Sequence, residues 1–247
     1  MGKKKWTVKR IIKTTWVLFG IAFTIWMFYS YQSKGDSDFY IQDDEKTTVE
    51  VTDDFYRFKP KEDTKFVLFF YPGAMVEPKA YIPLCRKISE SNIEVYLIRM
   101  PWRLATKGYN KPKELNLFKD SSKTYILSGH SQGAKMAAQF TFENPNLVDK
   151  LVLIGTTHPR DISLSNSKIP ILKIYGGNDG VADEKTILEN RNKLPVSAVL
   201  MKIDAANHSQ FGYYGYQLGD SRAGITREQQ QKQTLELITD FVLNDDK

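Results

Sequence analysis

An α/β fold, with a mostly parallel sheet, helices on both its faces and one membrane-spanning helix ahead of it, is what this sequence predicts. Three observations carry the prediction: six strand-length apolar runs, helical stretches between most of them, and a serine held between glycines, Gly129-His130-Ser131-Gln132-Gly133, directly after one of those runs. Strands that alternate with helices imply parallel pairing with both sheet faces covered. A chain of 247 residues is long enough for one domain with a sizeable core plus a short appendage.

The appendage comes first. Residues 1–13 hold six cations (Lys3, Lys4, Lys5, Lys9, Arg10 and Lys13) and no acid. Residues 14–33 carry no charge and are rich in Trp, Phe, Leu and Ile, about the length of a helix that crosses a bilayer. Trp16 near one end and Trp26, Tyr29 and Tyr31 near the other suit the two headgroup zones. The positive-inside rule puts the basic tail in the cytoplasm and the remaining chain outside it, on the cell membrane. A cleaved signal peptide is the rival reading, but Met27-Phe28-Tyr29-Ser30-Tyr31 is bulky where a cleavage site needs small residues. Residues 34–48 are polar and aperiodic and read as a tether; a flexible coil of that length spans roughly 20 to 23 Å.

The folded domain is expected over residues 49–247. Strands are predicted at 66–71, 93–98, 124–127, 151–154, 171–175 and 196–201, each rich in β-branched or aromatic residues. Helices are predicted at 79–89, 134–142, 184–193 and 226–243. Only 155–170 separates two of the strands, too short for a helical cap domain, so the site at the sheet edge is expected to be open.

Composition narrows the function classes. Lys and Arg number 35 against 29 Asp and Glu, and once the basic tail is set aside the two signs balance. The basic balance therefore describes a tail and not a nucleic-acid-binding face. Cys85 is the one cysteine, so no intrachain disulfide forms, and its apolar neighbours at helical spacing read as core packing. Three histidines and one cysteine without short spacings make no recognisable zinc site, and no cofactor is expected.

The chemistry centres on Ser131. Glycines on both sides of a serine let a strand turn sharply into a helix and lift the hydroxyl into the open. A serine hydroxyl needs a base within reach and an acid to orient that base. Of the three histidines, His130 sits on the turn itself, His158 follows a strand end, and His208, in a loop after the last predicted strand, is the choice for the base. Asp179, in Gly176-Gly177-Asn178-Asp179-Gly180, is the preferred acid, with Asp183 and Asp204 as alternatives that also suit a helix cap or a surface turn. Backbone N–H groups of Gln132 and of the turn Tyr71-Pro72-Gly73-Ala74-Met75 are the candidate oxyanion donors, Ala74 first and Met75 second. Glu77-Pro78 reads as a helix start. Phe211, Tyr213, Tyr214 and Tyr216 read either as a substrate wall or as loop packing, and Pro101-Trp102 carries the same two readings.

With Gly-His-Ser-Gln-Gly, Gly-Gly-Asn-Asp-Gly and Asn-His-Ser-Gln-Phe-Gly in that order, the chain resembles the α/β-hydrolase superfamily, and within it the lidless, dienelactone-hydrolase-like branch. The stretches 76–81, 100–105 and 219–230 are similar to that group as well. The resemblance implies Ser131 as nucleophile, His208 as base, Asp179 as orienting acid, and the Ala74 and Gln132 amides as oxyanion donors. Dienelactone hydrolases proper carry cysteine where this chain has Ser131, so their substrate is not carried over. The function implied is a membrane-anchored carboxylesterase acting on a small-molecule or lipid-like acyl ester. A tethered binding protein without turnover, or an acyltransferase or peptidase using the same residues, are the alternatives. Asn207-His208-Ser209 also matches a glycan acceptor beside the base, which favours a bacterial cell surface.

Overall fold

A computed structural model describes residues 7–244; Lys3, Lys4 and Lys5 of the basic tail and the last residues of the domain, 245–247, lie outside the described residues. The chain opens with helix α1 (Val8–Ser30), capped by Thr7, whose hydroxyl accepts the Arg10 N–H. Its 23 residues extend about 34 Å. Its most apolar stretch has a mean hydropathy of 1.7 and none of that stretch is buried in the protein, which is the surface a lipid-facing helix presents.

No free coil follows. The Ser30 carbonyl accepts the Gly215 N–H at 2.7 Å, the Tyr31 carbonyl accepts the Glu77 N–H at 2.9 Å, and the Lys34 N–H donates to Tyr213 at 2.7 Å. Glu77 sits at the start of a short 3-10 helix (Pro78–Tyr81), as expected from Glu77-Pro78, and its carboxylate also accepts the Ser33 N–H at 2.8 Å. A short helix α2 (Ser37–Tyr40) follows, and Tyr31, Tyr40 and Ile41 pack on the domain core. Buried Arg86 holds the next residues, 2.6 Å from the Asp44 carboxylate and 3.1 Å from the Gln42 carbonyl. The residues expected to form a flexible tether are thus laid along the domain, because Tyr40 and Ile41 supply apolar area that a polar average over the stretch conceals.

Strands β1 (Thr47–Val51) and β2 (Phe55–Pro60) form an antiparallel edge. Then come β3 (Phe66–Tyr71), helix α3 (Ile82–Ser89), β4 (Ile93–Ile98), a short helix α4 (Lys111–Glu114), β5 (Thr124–His130), α5 (Gln132–Glu143), β6 (Lys150–Ile154), β7 (Ile171–Gly176), α6 (Glu184–Glu189), β8 (Val199–Ile203) and α7 (Arg227–Leu243). The eight strands lie in the order β1-β2-β4-β3-β5-β6-β7-β8, parallel from β4 through β8. No helix intervenes between β6 and β7, so no cap domain covers the sheet edge.

Period-two alternation sorts the strand side chains into two cores. Leu68, Phe70, Val95 and Ile126 face α3 and α7, where Ile82, Cys85, Ile88 and Ile238 meet them. Val67, Phe69, Tyr71 and Leu127 face α5 through Ala134, Ala137 and Phe140. Burial pushes the Cys85 thiol well above its ordinary range, as a packed core thiol requires. The last strand begins three residues later than the run at 196–201 suggested: Val196 is 97% exposed in the turn ahead of it.

Candidate active site

The ends of β5, β7 and β8 put Ser131, Asp179 and His208 on one edge of the sheet, the carboxyl edge where parallel α/β sheets bind ligands. Ser131 sits between β5 and α5 at φ 54°, ψ −117°, a conformation residues with side chains rarely adopt and one found at functional turns. Its neighbours must be glycine for lack of space. A Cβ on Gly129 would lie 2.5 Å from the Gly133 carbonyl carbon, and one on Gly133 would strike the carbonyl oxygens of Tyr71 and Pro72. The Ser131 N–H donates to Ile154 at 2.9 Å, which pins the turn to β6. Gln132 opens α5, so its N–H belongs to the first turn, where amides have no intrahelical acceptor and the helix dipole is positive.

The turn after β3 lies against this elbow: a Cβ on Gly73 would stand 3.6 Å from that of Ser131. Its three amides have different fates. The Gly73 N–H donates to the Tyr81 hydroxyl at 3.1 Å and the Met75 N–H to the Arg103 carbonyl at 2.8 Å. Among the described residues, the Ala74 N–H has no hydrogen bond, so of the two amides considered from sequence it is the one left available.

Asp179 is 5% exposed and His208 fully buried. The Asp179 Oδ2 lies 2.9 Å from His208 Nδ1, and its Oδ1 accepts the N–H groups of Val181 at 2.9 Å and Ala182 at 2.6 Å. With both oxygens engaged the carboxylate cannot swing, and it assigns the proton to Nδ1, leaving Nε2 as the basic nitrogen. Nε2 is buried with no hydrogen-bond partner among the described residues, so it is not yet joined to Ser131 Oγ. A buried orphan nitrogen costs about 1–3 kcal/mol, a penalty retained where a ligand or reaction uses the atom. Catalytic hydrogen bonds are often loose before substrate arrives.

His130 is fully buried beneath the elbow, its ring 4.5 Å from that of His208. The Tyr81 hydroxyl, which accepts from Gly73, also hydrogen-bonds His130 Nδ1 at 2.8 Å. Burial, with the neighbouring His208 second, holds His130 well below the ordinary histidine range, so it is neutral. Tyr81 and His130 therefore connect the Gly73 turn to the elbow.

Of the other candidates, His158 bonds Thr157 through Nδ1 at 2.8 Å and, among the described residues, has no carboxylate within hydrogen-bond distance. Asp183 caps α6, accepting the Thr186 N–H at 2.9 Å, and Asp204 is an exposed partner of Lys202 at 3.8 Å. Phe211 and Tyr214 are packed in the core, which removes them from any substrate wall. Asp220 had no role in the sequence reading. Its Oδ1 accepts the His208 N–H at 3.1 Å and the Gly180 N–H at 3.3 Å, and its Oδ2 accepts the Ser209 N–H at 2.8 Å. One buried carboxylate thus ties the histidine loop to the aspartate loop. Its only sequence signal was its place in Gly219-Asp220, within a stretch that resembled the family.

The sequence profile described as "Alpha/beta hydrolase family" matches residues 67–232. No curated protein matches the chain. Similar solved structures include a CIB-like hydrolase from Thermoplasma acidophilum at 12% identity, covering 78% of this chain and 99% of that one with a TM-score of 0.60. A dienelactone hydrolase from Anabaena variabilis follows at 13% identity, with 81% and 98% coverage and a TM-score of 0.58. Carboxyl esterase 2 from the fungus Tuber melanosporum stands at 14% identity, with 82% and 87% coverage and a TM-score of 0.58.

Proposed function

Because the chain belongs to the α/β-hydrolase family, we propose that it is a membrane-anchored serine hydrolase that cleaves carboxylic esters. The observation that carries this reading is the buried Asp179–His208 pair, 2.9 Å apart with Nε2 unengaged, on the same sheet edge as the strained Ser131 elbow. In this reading His208 Nε2 takes the Ser131 hydroxyl proton as Oγ adds to the ester carbonyl. The Ala74 and Gln132 amides hold the oxyanion. His208 returns the proton to the departing alcohol, and water, deprotonated by the same nitrogen, releases the acid and restores Ser131. The α1 helix anchors the enzyme, with the basic tail in the cytoplasm and the domain outside it.

The test is labelling of the full-length detergent-solubilised protein with a fluorophosphonate. Wild type is expected to label at one serine, and Ser131→Ala and His208→Ala to lose the label and at least about 10³-fold in kcat on a short-chain ester. Undiminished turnover by Ser131→Ala would overturn the mechanism.

A further inference from the structure

We propose that the cleft between α1 and the hydrolase domain is the subsite for the acyl chain of a membrane lipid ester, which reaches Ser131 from the bilayer. This rests on the readings of Ser131 as nucleophile and α1 as a membrane span.

The cleft holds about 190 Å³ and is almost wholly apolar. One wall is the span itself, through Phe23, Thr24, Met27 and Phe28; the other is Met75 and Arg103 of the domain. Phe23 lies seven residues back from the end of α1 at Ser30, roughly 10 Å along the helix axis. In this assignment the helix side of the cleft lies among lipid chains, while its domain side includes Met75, the next residue after the unengaged Ala74 amide. An engineered apolar cavity of about 150 Å³ takes up benzene, so this one admits a chain of about six carbons or more.

Arg103 joins the two ends. Its carbonyl holds the Met75 N–H at 2.8 Å, and its side chain crosses the cleft, the guanidinium 5.3 Å from the Phe28 ring centre and Nη2 3.3 Å from Gln32 Oε1. Its Nη1 is buried with no hydrogen-bond partner among the described residues, an unmet donor on the residue that bridges helix and domain. Trp102 and Arg103 adopt φ of 55° and 54°, two strained residues in succession, and the outcome is an 85% exposed Trp102 next in the chain to Arg103, which meets Phe28 of the helix. An exposed tryptophan next to a span suits the headgroup layer. Tyr216, 50% exposed, meets α1 separately, its ring 6.5 Å from that of Trp26.

The full-length protein in phosphatidylcholine nanodiscs tests the assignment with p-nitrophenyl butyrate and laurate. Thr24→Trp, which fills the cleft, is expected to lower the laurate-to-butyrate ratio of kcat/KM at least tenfold. Ala22→Trp, about 200° round the helix, leaves both rates as in wild type. A ratio within twofold of wild type in Thr24→Trp overturns the subsite. A phosphatidylcholine with a diazirine in its acyl chain supplies a readout free of turnover. It is expected to cross-link the peptide containing Met75, in Ser131→Ala as in wild type, and not in Thr24→Trp. Labelling of α1 alone, with Ser131-dependent butyrate hydrolysis intact, overturns the subsite and leaves the hydrolase reading standing. Butyrate hydrolysis that survives Ser131→Ala sinks the hydrolase reading instead, whatever the cross-links show.

Discussion

His208 is held from three directions: Asp179 at Nδ1, Asp220 at the backbone N–H, and the His130 ring against its face. These holds are not equivalent. Asp179→Asn keeps the shape of the carboxylate but presents a donor as readily as an acceptor to Nδ1, so the tautomer with a basic Nε2 is lost. The expected fall in kcat is about 10⁴-fold, measured on a short-chain ester at neutral pH, with the fold retained by circular dichroism. Asp220 acts through the backbone, ordering the loop that delivers the ring, so it is a positioning residue.

At the scale of elements, the cap of α7 offers a stability probe one turn from Gln230, whose side chain holds the backbone of Asn207 beside His208. Thr226 accepts the Gln229 N–H at 3.2 Å while the Gln229 side chain accepts the Thr226 N–H at 2.9 Å, a reciprocal cap. Thr226→Ala is expected to cost about 1 kcal/mol, lowering Tm by about 2–4 °C in thermal unfolding. The central elements were legible from sequence because burial on both faces writes long apolar runs: β3 and β4 begin and end where the runs at 66–71 and 93–98 do. The edges were not. The strands β1 and β2 alternate charged and apolar residues, and β8 is largely exposed, so neither writes a run that marks its ends. Within the site, residues announced by glycines around them, Ser131 and Asp179, could be read in the sequence. Tyr81, Asp220 and Arg103 could not, because their roles come from contacts with residues distant in the chain, which leave no local pattern.

At the scale of the whole molecule, burial opposes the charged forms of two fully buried bases among the described residues, Lys173 and His130. Lys173, in β7, is pushed down to about 7 by burial, with Lys135 of α5 second. His130 is held neutral as described. In both, the unfolded chain binds the proton more readily, so stability rises with pH where the two states differ. For Lys173 that window runs from about 7 to the ordinary lysine value near 10.5, and the penalty is complete below it. For His130 stability falls as the pH drops below about 6.5. Lys173→Met is therefore expected to raise Tm more at pH 6 than at pH 10, in paired thermal melts. The direct passage from α1 into the domain, through the bonds of Ser30, Tyr31 and Lys34, has a kinetic consequence. With α1 as the proposed anchor and a lipid ester as the proposed substrate, a protein without a swivel presents the same face to the leaflet in every molecule, and its encounters with substrate become a lateral search in two dimensions. Its rate then follows the mole fraction of ester in the surface and not the amount in the surrounding water, so diluting the substrate with inert lipid slows the enzyme as diluting a solution slows a soluble one.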